Sequence, residues 1–160
     1  MQYAKIILIA SLYFLAISSY SLGQEGMTYP RTAFIKNDGS NARAGYNTNF
    51  QSIYRFEQSD PIKIIGEYFD WYKVMLPKKA SVYIKKDYVN KLSRNIGLLN
   101  ATKVNLRSGP DLKYAVLGQI SEPEKVYITS EKDGWYEIQP PKDTAGWIHK
   151  SQIVFSLSEI

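Results

Sequence analysis

The sequence predicts an all-β chain, with two tandem small β-barrels of about five strands each behind a cleaved helical signal peptide. Three observations carry this. Beyond the N-terminal run, short stretches of alternating apolar and polar residues are broken by Gly, Pro, Asn and Asp, and no helical period appears. The chain nearly repeats itself at a spacing of 64 residues. It holds no Cys, so in an exported chain no disulfide replaces a core, and each small unit must bury its own or dock on its neighbour.

The N-terminus comes first. Lys5 is the only charge before Glu25, Ile6 to Ile17 is apolar, and Ser21 and Gly23 put small residues where a signal peptidase inspects. Residues 1–23 are expected to be a signal peptide cut before Gln24. Ser18 and Ser19 cut the apolar run below the about 20 residues of a spanning helix, so no stable membrane span is expected after cleavage. Without Cys, no lipobox can anchor the mature end. Export is the expected destination, either periplasmic or extracellular.

Sliding the chain by 64 residues without a gap lays Asn41 to Val89 on Asn105 to Ile153. Eleven of these 49 positions are identical, where background composition gives about 3. They are Asn41/Asn105, Arg43/Arg107, Gly45/Gly109, Ile64/Ile128, Glu67/Glu131, Trp71/Trp135, Tyr72/Tyr136, Pro77/Pro141, Lys78/Lys142, Ile84/Ile148 and Lys86/Lys150. The expected domains are 32–92 and 96–156, joined by the short polar Ser93-Arg94-Asn95. In the second, strands are expected at Gly97–Ala101, Val104–Arg107, Val116–Ile120 and Lys125–Glu131. A closing hairpin is expected to pair Trp135–Gln139 with Gly146–His149 around Pro140-Pro141. The first domain should pair Trp71, Lys73 and Met75 with Tyr83 and Lys85 in the same way. Val104 and Leu106 stand where the first repeat has Ser40 and Ala42. An isolated 95–160 fragment is therefore expected to fold alone and a 24–91 fragment to be marginal.

The second repeat reads Asn105-Leu106-Arg107-Ser108-Gly109-Pro110, later Gly134-Trp135-Tyr136, and finally Gly146-Trp147-Ile148. This pattern resembles the bacterial SH3-like domain. The first repeat keeps Asn41, Arg43, Gly45, Trp71 and Tyr72. It departs at Ala42, at Tyr46 where proline is usual, and at Val82-Tyr83 where the closing glycine-tryptophan is usual. The resemblance implies an SH3-like barrel and an envelope-binding module, with no ligand specified. Asn41, Arg43, Gly45, Asn105, Arg107, Gly109 and Pro110 are expected to be structural. Gly109 and Pro110 should turn the chain after a strand; Arg107 either binds ligand or ties that turn to a neighbouring carboxylate or carbonyl, and its recurrence in both repeats favours the structural role.

Chemistry is sparse. No thiol is present, and the single His149 cannot build a zinc site of the multi-His or Cys/His type. No nucleophile elbow surrounds any Ser, and no segment marks a carboxylate pair. No catalytic residue, metal or cofactor is expected. Lys and Arg number 20 against 15 acids, a net charge of +5, which is too mild for a nucleic-acid stripe. Strand parity puts Ile138, Tyr136 and Ile148 inside and Trp135, Glu137, Trp147 and His149 outside. In the first repeat Trp71, Lys73, Tyr83 and Lys85 fall outside. The candidate ligand-binding residues are thus Trp71, Lys73, Tyr83, Lys85, Trp135 and Trp147. The expected partner is a cell-wall polymer such as peptidoglycan, or alternatively an envelope protein on which the barrels dock.

Overall fold

A computed structural model describes residues 27–160. The expected signal peptide lies outside them. The described chain is all-β, with fourteen strands and three single-turn 3-10 segments. The strands are β1 (Arg31–Ile35), β2 (Ser40–Arg43), β3 (Ser52–Phe56), β4 (Pro61–Tyr68), β5 (Trp71–Met75), β6 (Val82–Lys85) and β7 (Val89–Lys91). They continue with β8 (Ile96–Leu99), β9 (Val104–Arg107), β10 (Val116–Ile120), β11 (Lys125–Lys132), β12 (Trp135–Ile138), β13 (Ala145–His149) and β14 (Ile153–Val154).

Two seven-stranded sheets result, ordered β14-β1-β4-β5-β13-β2-β3 and β10-β9-β6-β12-β11-β8-β7. Reversing the second and shifting it by 64 residues lays it strand for strand on the first. The repeat is therefore visible in the topology, but strands do not sort by repeat. β13 and β14 leave the second repeat to pair with β5, β2 and β1. β6 and β7 leave the first to pair with β12, β9 and β8. The exchange is reciprocal, and the sheets do not divide the chain at Ser93-Arg94-Asn95. The second sheet is built from 82–138 without interruption, while the first takes 31–75 and 145–154. Each sheet has seven strands in an open order, not five closed into a barrel.

The expected closing hairpins are absent. β12 and β13 lie in different sheets, as do β5 and β6. The chain instead crosses between the sheets through the linkers Leu76–Ser81 and Gln139–Thr144. In each, Pro77 or Pro141 fixes its own φ and holds the preceding residue extended, so the strand direction continues into the linker. Only after each proline does the chain turn, with the Ala80 N–H donating to the Pro77 carbonyl at 2.9 Å and Thr144 to Pro141 at 3.2 Å. The linkers touch through Leu76 N–H donating to the Thr144 carbonyl at 2.9 Å, and Leu76, Ala80 and Thr144 are buried. The buried apolar residues of both sheets form one continuous cluster.

The exchange also explains which residues repeat. Ile148 lies opposite Tyr72 on β5, and Ile84 opposite Tyr136 on β12. All four are buried. Lys150 pairs with Glu67 at 2.5 Å, and Lys86 pairs with Glu131. The Lys150 and Lys86 ammonium groups lie 5.1 and 5.3 Å from the Tyr72 and Tyr136 ring centres. Identical residues of the two repeats thus build two copies of one inter-repeat clasp. Each lysine holds its glutamate below the ordinary carboxylate range, chiefly through the hydrogen bond, and is itself raised by it. The glutamates' contribution is present above their ordinary pKa of about 4.3 and is lost as pH falls through the lowered folded-state value. The lysines' contribution is complete below about 10.4 and is lost as pH rises through the raised value. Glu67→Gln with Glu131→Gln should therefore melt below wild type at pH 7, with the gap closing at pH 3. These pairs are exposed, so the shift is small; an equal gap at both pH values would rule the clasp out.

Core volume follows the expected substitutions. Ser40 and Ala42 are buried where Val104 and Leu106 are buried in the other sheet. β3 restores the volume, because Phe56 faces Ser40 and Tyr54 faces Ala42, their rings 4.7 Å apart. Ser40 satisfies its hydroxyl by donating to the Asn37 carbonyl at 2.8 Å.

Candidate functional site

The Asn-x-Arg-x-Gly motif closes a loop in each repeat. Arg107 Nη1 donates to the carbonyls of Leu112 and Tyr114 at 2.9 and 2.8 Å. Arg43 Nη1 donates to that of Phe50 at 2.8 Å. Asn105 and Asn41 accept from Gln119 and Ser52 on the neighbouring strand, at 2.8 and 2.9 Å. The glycines serve by lacking a Cβ, not by an unusual φ. A Cβ on Gly109 would stand 2.6 Å from the Tyr114 ring, and one on Gly45 2.6 Å from that of Phe50. Each loop folds an aromatic ring flat onto its glycine.

The six sequence-predicted site residues fall into two groups, one per sheet, each drawn from both repeats. Lys73 faces Trp147 and Trp71 faces His149 on the outer side of the first sheet. Lys85 faces Trp135, and Tyr83 faces Glu137, on that of the second. The single face expected to hold Trp71, Lys73, Tyr83 and Lys85 does not form, because β5 and β6 separate. Nor do Lys73 and Lys85 lie side by side. Lys85 instead pairs with Asp87 at 2.7 Å, which raises its pKa. Glu137 accepts from Ser130 at 2.6 Å and from Ser81. Burial, then the Glu137 carboxylate, raises the Tyr83 hydroxyl.

Each sheet carries a small cleft lined by a repeated tryptophan; Trp71 alone of the first group lines one, Lys85 and Trp135 line the other, and Lys73 and Trp147 line a separate depression. In the first sheet a cleft of about 170 Å³ is lined by Trp71, Arg43, Thr48, His149 and Gln152. The rings of Trp71 and His149 meet edge to face at 5.3 Å. Its counterpart in the second sheet, about 250 Å³, is lined by Trp135, Arg107, Leu112, Lys85 and Tyr88, with Lys103 added. In both, the exchanged strand supplies a wall. Trp135 lies on the outer side as expected but is only 7% exposed, because it forms the cleft floor.

Beside Trp147 runs a row of aromatic rings that the alternation pattern did not single out. Tyr46 lies 5.5 Å from Trp147 and 4.5 Å from Tyr68, and Tyr68 lies 4.6 Å from Phe69. Phe50 flanks Tyr46 at 6.3 Å. Tyr46, Phe50 and Tyr68 are well exposed, and Phe69 is 76% exposed. Phe69 also holds φ at +47° in the tight turn between β4 and β5. That left-handed conformation is costly for a bulky side chain. The second repeat has Asp133 there, followed by Gly134 with φ at +80°. Two departures in the sequence carried this signal: a Phe in a tight turn, and Tyr46 where the motif has proline.

Among the described residues, no group of metal-ligating side chains could hold an ion, and no helix is long and apolar enough to cross a membrane. Comparison with curated proteins and with solved structures returns no match. Residues 102–153, roughly a third of the chain, match the bacterial SH3 domain family. The matched stretch runs from Thr102, just before β9, to Ile153. It is continuous in sequence, yet in space it ends in the first sheet.

Proposed function

We propose that the protein is an exported, non-enzymatic binding module for the cell envelope, made of two tandem SH3-like units that have exchanged their closing strands. Its ligand is peptidoglycan, held by the outer face of the first sheet. The family match at 102–153 supports a binding module of a kind often associated with cell walls. The observation that carries the reading is the row of exposed rings Phe69–Tyr68–Tyr46 running onto the half-buried Trp147. Exposed aromatic rings in a contiguous row mark a contact surface, and flat rings of this kind stack on sugar rings while offering polar tips to hydroxyls. Lys73, exposed beside Trp147, adds a cation for the polymer's carboxylates. The strain at Phe69 fits a residue kept for contact rather than for folding. Export rests on the N-terminal run of residues 1–23.

Sedimentation with isolated cell walls tests this. Wild type should pellet, and Trp147→Ala should weaken retention about 30-fold, as for a loss of about 2 kcal/mol at a contact hot spot. Phe69→Gly should weaken retention while leaving the melting temperature equal or higher, because Gly relieves the left-handed backbone. Full retention by both variants would rule the aromatic face out. Retention only when a second envelope protein is present would favour the adaptor reading.

A further inference from the structure

The two tryptophan clefts share a frame but differ in charge. His149 and Thr48 on the lining of the first correspond to Lys85 and Leu112 on that of the second; Ser151 on the first corresponds to Asp87, which is off the second's lining, and Lys103 on the second corresponds to Gly39, which is off the first's. Arg43 and Arg107 are common to both. The second cleft therefore has three cationic residues on its lining, Lys85, Lys103 and Arg107, and no acid there, while Asp87, off the lining, pairs with Lys85. Trp135, Val104 and Leu112 give it apolar walls, and Tyr88, Thr102 and Asn105 complete the lining.

Lys103 is the informative residue. Its φ is +53°, where the first repeat has Gly39 at +77°. The turn suits glycine, and a lysine side chain in this left-handed conformation is strained. The conformation is held by the Lys103 N–H donating to Ser121 Oγ at 2.9 Å. Among the described residues no ion pair or side-chain hydrogen bond holds the Lys103 ammonium, and Lys103 lines the same cleft as Lys85 and Arg107. At about 250 Å³ the cleft lies under the ~300 Å³ at which sites for drug-sized ligands begin. It suits the end of a larger ligand, an anionic group carrying a small apolar neighbour.

We propose that the Trp135 cleft of the second sheet binds the terminal carboxylate of a short peptide with small apolar side chains. The carboxylate meets Lys103 and Arg107 and competes with Asp87 for Lys85, while the last side chain packs on Trp135 and Leu112. The site needs the strand exchange, since Lys85 comes from the first repeat and Trp135 from the second. It lies on the opposite sheet from the aromatic row, so its failure would leave the wall-binding reading standing, and cell-wall sedimentation reads that separately.

The test uses the chain with Trp71→Phe and Trp147→Phe, so that Trp135 alone reports by fluorescence. Acetyl-Ala-Ala as the free acid should give a saturable change that weakens with added salt. Its C-terminal amide should bind at least about tenfold more weakly, a difference of about 1.4 kcal/mol. Lys103→Gly should weaken the free acid at least fivefold without lowering the melting temperature. Equal binding of acid and amide, or no effect of Lys103→Gly, would overturn the proposal. Glucuronate or inorganic phosphate binding as tightly as the peptide acid would overturn the peptide assignment, leaving only a general anion site.

Discussion

A fragment spanning residues 80–140, cut across both repeats, should fold as a monomer, while residues 95–160, a complete sequence repeat, should not. The first holds β6 through β12, the whole second sheet. The second lacks β6 and β7, which strips β12 of its pairing from Trp135–Lys85 to Ile138–Val82. It also loses the buried side chains of Val82, Ile84 and Val89 from that sheet. At about 1.5–3 kcal/mol for each, the loss is of order 5–9 kcal/mol, comparable to the whole stability of a small domain. Ile148, Ile153 and Val154, buried in the intact chain, would be left without β5 and β1. This reverses the expectation from core composition alone, in which Val104 and Leu106 made 95–160 the self-sufficient piece. Circular dichroism melts and sedimentation velocity on both fragments decide it. The expected result is a cooperative transition for 80–140, and for 95–160 either no transition or a dimer that trades β13. A cooperative monomeric melt of 95–160, at or above the temperature of 80–140, would show that the exchange is dispensable.

Much of the fold was legible because strand signals are local. The alternation in Val104–Arg107 and Lys125–Glu131, and the turn residues between strands, depend only on near neighbours, and those strands formed close to the expected bounds. The parity of Tyr136, Ile138 and Ile148 was likewise legible, since all three are buried. Strand partnership was not. β6 reads the same whether it turns back onto β5 or crosses to β12, because its face pattern is identical in both places. Only the linker chooses, and Pro77 and Pro141 suit a stiff loop and a straight crossing equally well. The candidate site inherited that ambiguity. Trp71, Lys73 and Trp147 were each placed on the correct side of a strand, but their company was wrong, since Lys85 and Tyr83 went to the other sheet. The aromatic row was missed for a different reason. Tyr46, Phe50 and Phe69 lie in loops and a turn, outside any periodic pattern, and Tyr68 gains meaning only once these stand beside Trp147.

The exchange makes a sharper, residue-level prediction. Ile148→Ala should couple energetically to Tyr72, and Ile84→Ala to Tyr136, in each case across what sequence alone would call a boundary between repeats. Each isoleucine is fully buried directly opposite its tyrosine. Truncating either should cost about 2–5 kcal/mol, because the opposing strand cannot collapse onto the cavity without losing its ladder. Cost alone does not locate the contact, since both sheets share one core. A double-mutant cycle does, because residues in direct contact show coupling of about 0.5–3 kcal/mol and distant ones add within about 0.5. The expected result in denaturant melts is strong coupling for Ile148→Ala with Tyr72→Phe or Tyr72→Ala, and near-additivity with Tyr136→Ala. The reciprocal cycle on Ile84 should behave the same way with the tyrosines interchanged. If Ile148 coupled instead to Tyr136, the closing strand of the second repeat would lie on its own neighbour. The strand exchange, and with it both composite clefts, would then be wrong.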